Sequence, residues 1–268
     1  MSLSRLNWIA AAAHSAAAIV SWQILKSKRV TLYEIDFDLS APQVSDIDYP
    51  QTLKSARGPD IKSLVVAFYL FTAFAHVLYA TDFFGKGWYS NAINGWGWNP
   101  FRWVEYSVSA GIMAYIIALF AGSKEKSAAL TVALLIPGLM SQGFTIEREI
   151  HQGSNYKDAD AVLVWANVLP AWLLYGVKWF IIFNALRKLQ KAHKDQLGTK
   201  LDSKVTFLVM SQFIFFTLFG VVNAVQVYRW YKKIGANDTY LVYEKAYIWL
   251  SLIAKVGLGL SVGNVLKY

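Results

Sequence analysis

The stretch Glu244-Lys245-Ala246-Tyr247-Ile248-Trp249-Leu250-Ser251-Leu252-Ile253-Ala254-Lys255-Val256-Gly257-Leu258-Gly259-Leu260 decides how this chain is read. It is apolar enough, with its continuation to Leu266, to cross a bilayer, and Lys255 sits about mid-way along it. A charged side chain at that depth costs ~2.5–3.5 kcal/mol even on lenient insertion scales. A lysine so placed is neutralised, paired with an acid or covalently modified, and lysine amines condense with carbonyl compounds. Such an amine calls for a partner elsewhere in the chain.

Working outward, the 268 residues are 56% hydrophobic and only 16% charged, and apolar runs recur along the whole length. This composition implies an all-α, multi-pass membrane protein in one domain, residues 1–268, embedded in lipid. There is no cysteine, which excludes disulfides and thiolate metal sites. The formal charge of +9 fits basic loops at a membrane surface better than nucleic acid, and no nucleic-acid partner is expected. The apolar start is read as a retained helix without a cleavage site.

Seven spans can be drawn: Leu6–Leu25, Ile61–Thr81, Asn99–Gly122, Ser127–Thr145, Ala161–Leu186, Val205–Tyr228 and Leu241–Leu266. The first connection contains Val30–Leu39, which alternates apolar and polar residues, while Pro42, Pro50 and Pro59 interrupt the remainder. That pattern predicts a strand-like hairpin in the first interhelical loop. A polar loop is expected at Glu147–Asp158, and a basic connector at Arg187–Lys204. Counting basic residues on each side favours a cytoplasmic C-terminus.

Glu105 is the obvious acid for Lys255, because an intramembrane carboxylate faces the bundle interior. Arg102, three residues earlier, shares its helical face and could help keep it ionised. Equally, Arg102 and Glu105 could form an ion pair with each other at the helix start. His14 and His76 lie within spans and could face one cavity, although a lone histidine in a span is more often a packing residue. They lack carboxylates at metal-ligand spacing, and no metal is expected. Ser251 is one helical turn before Lys255 and on its face. Trp165, Trp172, Phe213, Phe216, Phe219 and Met140 could line a pocket, or simply pack. Gly143, Gly220, Gly257 and Gly259 would permit close helix approach.

Seven spans with a mid-membrane lysine in the last and an acid in the third resemble the microbial rhodopsins, and the heliorhodopsin family in particular. The carrying residues are Tyr247–Lys255, with its Ser-x-x-x-Lys pattern, and Arg102-Trp103-Val104-Glu105-Tyr106-Ser107. Glu244, Asn223, Gln226, His14, His76 and the long first loop fit the same pattern. The resemblance implies a photoreceptor, not an enzyme, in which Lys255 binds all-trans retinal as a protonated Schiff base with Glu105 as counterion. It further implies that Ser251 bonds near that site and that His14 and His76 belong to a polar cavity receiving a proton after light absorption. Ser109, Met140, Trp165, Phe216 and Phe219 would be pocket walls. A homodimer, a cytoplasmic N-terminus (against the charge count) and an unidentified signalling partner follow from the same resemblance.

Function then divides three ways. A slow light sensor and a light-driven or light-gated proton conductor both use the retinal site, whereas a scaffold or small-molecule transporter would use only a Glu105–Lys255 ion pair. Met113, Ile116 and Ile117 occupy the part of the third span where an outward pump would carry a carboxylate donor. Their apolar character favours the sensor.

Overall fold

The structure, a computed structural model, describes residues 1–25, 31–37, 51–57, 59–85, 87–93, 99–143, 161–231 and 239–266. Seven long helices occur among them: α1 (Leu3–Ile24), α2 (Ile61–Thr81), α4 (Pro100–Phe120), α5 (Glu125–Ser141), α6 (Ala161–Leu197), α7 (Ser203–Tyr231) and α8 (Thr239–Leu266), with a single turn, α3 (Trp88–Asn91), between α2 and α4. Between α1 and α2, β1 (Thr31–Phe37) pairs antiparallel with β2 (Gln51–Arg57), Thr31 opposite Arg57 and Phe37 opposite Gln51. The polar loop expected at Glu147–Asp158 lies outside the described residues, as do Pro42 and Pro50.

Local chemistry accounts for several helix ends. Ser2, Asp60 and Asn99 accept from backbone N–H groups of the first turns of α1, α2 and α4, satisfying donors that have no partner within the helix. Pro100 follows Asn99 at the first helical position, where its missing N–H costs nothing. The basic connector expected from Arg187 is largely helix: α6 runs on to Leu197 before Gly198, at φ 62°, ends it. Lys, Arg, Gln and Ala are good helix formers, so a drop in hydropathy there marks departure from the membrane and not the end of the helix.

By length and composition, α2, α4, and the segments Val168–Leu197, Ser203–Arg229 and Tyr240–Leu266 are apolar enough to cross a membrane. The other two long helices fall short for simple reasons. α5 has only 17 residues, and α1 carries Arg5, Asn7, His14 and Gln23 among its apolar residues.

The helices pack in chain order, α1 on α2, α2 on α4, α4 on α5, α5 on α6, α6 on α7 and α7 on α8, and α8 closes the ring against α1. Two glycines let backbones and rings meet inside it. A Cβ at Gly259 would collide with the Tyr69 hydroxyl, and one at Gly220 would lie 2.7 Å from Cη2 of Trp172. Tyr69 uses the first gap to donate a 2.8 Å hydrogen bond to the Lys255 carbonyl, tying α2 to α8.

Candidate functional site

Lys255 lies on the inner face of α8, 3% exposed, and Glu105 on the inner face of α4, 4% exposed. Lys255 Nζ is 2.6 Å from Glu105 Oε1 and donates to Thr72 Oγ1 at 2.7 Å, and Thr72 Oγ1 donates to the same Glu105 oxygen at 2.8 Å. Three helices thus contribute one group each to a closed triangle. Two opposite charges removed from water are tolerable only with such complete pairing. Thr72 was not singled out from the sequence. Its signal was its position, one turn before His76 on the same face of α2.

Arg102 does not share this site. Side chains on a helix lean toward its N-terminus, which carries the guanidinium away from Glu105 and toward the first turns of α8. There Nη1 forms a buried ion pair with Glu244, Nη2 donates to Tyr240 Oη at 2.9 Å, and the group lies 4.3 Å from the Tyr247 ring centroid. The two acids and two cations are therefore sorted into separate pairs, Glu105 with Lys255 and Glu244 with Arg102.

A polar network joins the region around these pairs. His14 and His76 stack with ring centroids 5.7 Å apart and planes 9° from parallel. Asn7 donates through Nδ2 to Leu3 O and Tyr89 Oη, at 3.1 and 3.2 Å, which leaves its Oδ1 to accept from His76 Nδ1 at 2.7 Å. With Nδ1 committed as donor, His76 Nε2 carries the lone pair. Tyr89 in turn donates to Glu244 Oε1 at 2.8 Å, and Asn99 Nδ2 donates to the same oxygen at 3.2 Å. Burial pushes the Tyr89 phenol well above its ordinary pKa, so it remains a donor. Asn7 and Tyr89 carry no motif that would have marked them in the sequence.

Lys255 lines an apolar cavity. Ser109, Phe216, Phe219 and Ser251 line it, together with Trp103, Tyr106, Met113, Trp172, Tyr175 and Tyr247. Two of the expected wall residues stand elsewhere. Trp165 shares a helical face with Trp172, but seven residues of helix place it about 10 Å further along the axis, and it is 37% exposed. Met140 is turned away from the α5 face that carries Leu135, Gly138 and Gln142 to the cavity, being two residues and hence about 200° from Gly138.

This set of residues suits retinal. The cavity is apolar, its lining includes a primary amine able to condense with an aldehyde, and a carboxylate stands 2.6 Å from that amine to balance a cation formed there. Among the described residues no cluster of His, Asp and Glu could hold a metal ion. No curated protein matches the chain. A family model described as Heliorhodopsin matches residues 3–262. With a buried lysine and acid in the matching helices and a family match over nearly its full length, the chain belongs to the heliorhodopsin family, membrane proteins of seven spans that carry a retinal chromophore.

Proposed function

We propose that this protein is a light sensor in which Lys255 carries all-trans retinal through a Schiff base and Glu105 is the counterion. The observation that carries the reading is the buried Lys255–Glu105 pair, with its lysine in the lining of an apolar cavity. Retinal bound there supplies visible absorption and a light-driven isomerisation. The chain supplies the rest. Glu105 holds the negative charge that a buried cation at Lys255 requires, and the two groups titrate as one unit. Thr72 bridges them and fixes the direction of the Nζ proton. Glu105 is the first acceptor for that proton. His76 Nε2, one turn from Thr72 and stacked on His14, is the next group able to hold it.

The sensor reading is supported over a proton conductor by what lies on the other side of Lys255. Met113, Ile116 and Ile117 are fully buried among apolar neighbours and offer no proton site. The proton then stays in the polar region, and the output is a change of helix packing. We further propose a homodimer of single seven-helix domains, with cytoplasmic N-termini, that signals to a protein partner.

The test is spectroscopic. Full-length protein made with all-trans retinal should show a visible band that is absent in Lys255→Ala. A colourless wild type, or a band that survives the substitution, would sink the reading.

A further inference from the structure

Lys178 is a second buried amine, and the mechanism above makes no use of it. It lies on α6 within the apolar segment Val168–Leu197 and is completely shielded from solvent. Its Nζ has no hydrogen-bond partner among the described residues. Three aromatic rings surround it instead: Nζ is 4.1 Å from the ring centroid of Phe216, 4.5 Å from Trp179 and 4.9 Å from Tyr175.

Each distance falls within the range where a cation is attracted to the negative face of a ring. A neutral amine makes only weak N–H···π contacts with such faces, whereas an ammonium is attracted to all three, which offsets part of the cost of its burial. The cage does not depend on the lysine for its shape. Trp179 is held edge-on by Phe213 at 5.1 Å and by Phe216 at 5.9 Å.

Tyr175 and Phe216 also line the cavity that Lys255 lines. Lys178 Nζ is thus one ring behind the cavity wall. Lys178 and Lys255 stand on different helices, α6 and α8, which both pack against α7.

We propose that Lys178 is a spectral-tuning residue, a ring-caged positive charge behind the cavity wall formed by Tyr175 and Phe216, on a helix other than the one that carries the chromophore's attachment point. The proposal rests on the retinal reading above. Excitation of a protonated retinal Schiff base moves positive charge away from its nitrogen along the polyene. A fixed cation beside the polyene and away from that nitrogen opposes that movement, and in an apolar surrounding the opposition is little screened. Lys178 therefore raises the excitation energy and holds absorption at shorter wavelength.

The experiment compares visible spectra of full-length wild type, Lys178→Met and Lys178→Arg, each made with all-trans retinal. It adds nitrogen NMR of ¹⁵N-lysine-labelled, retinal-free protein at neutral pH, with the Lys178 signal assigned by its loss in Lys178→Met. The expected results are a red shift in Lys178→Met, a band near the wild-type position in Lys178→Arg, and an ammonium signal for Lys178. An unmoved or blue-shifted band in Lys178→Met, or a neutral amine by NMR, overturns the proposal. If Lys178→Met does not fold, the Lys178 signal is assigned from Lys178→Arg and the NMR charge state decides alone. A colourless wild type would refute the retinal reading; a coloured wild type with an unmoved Lys178→Met refutes only the tuning role.

Discussion

The two halves of the helix bundle on either side of Lys255 are built from the same helices by opposite rules. On one side the first half of α1, the second half of α2 and the first halves of α4 and α8 contribute Asn7, His14, Thr72, His76, Asn99, Arg102, Glu105 and Glu244, all buried. On the other side the complementary halves contribute Ala18, Val65, Phe68, Ile116, Ile117, Leu119, Leu258 and Val262, joined by Ile182 and Leu208 from α6 and α7. One half is held by hydrogen bonds and ion pairs whose members must all be present. The other is held by close packing, where volume matters and direction does not. Buried donors and acceptors gather around Lys255 in the first half, and in the proposed sensor the second half is the seal that keeps a proton there.

That contrast can be broken from either side. The largest effect should come from Glu244→Gln, which leaves the Arg102 guanidinium buried without its acid. Removing one partner of a buried pair costs about 3–5 kcal/mol, and thermal unfolding of the pigment should show it. In the packed half, Leu208→Ala removes a fully buried side chain and should cost about 2–5 kcal/mol, the amount set by how far the helices close over the cavity. Thr72→Val keeps the volume and removes only the bridging hydroxyl. It should cost about 1–3 kcal/mol through the unmatched groups left behind. If denaturant unfolding found Thr72→Val neutral, the polar half would be held by packing after all, and the distinction between the halves would fail.

Much of this was legible in the sequence because hydropathy reports burial in lipid directly. The span Ile61–Thr81 coincides with α2, and Asn99–Pro100 marks the start of α4 by its capping chemistry. Lys255 and Glu105 stood out because charges at mid-membrane are costly and rare. What the sequence concealed was partner choice. Arg102 is as close to Glu105 in sequence as a salt-bridge partner could be, yet the lean of its side chain delivers it to Glu244, 142 residues away. Thr72, Asn7 and Tyr89 are ordinary residue types whose importance comes only from what faces them across the bundle. Lys178 was hidden differently: its neighbours Tyr175 and Trp179 look like a packing stripe until the fold brings Phe216 from α7 to close the cage.

The measurement that tests the division of the bundle most directly is photocurrent under voltage clamp, with retinal-loaded protein in a cell membrane and proton gradients imposed in both directions. A polar half that keeps the proton and an apolar half that seals it in predict no sustained photocurrent at any holding voltage. A sustained current whose reversal follows the proton gradient would contradict that, and would mean that protons cross the layer formed by Met113, Ile116 and Ile117.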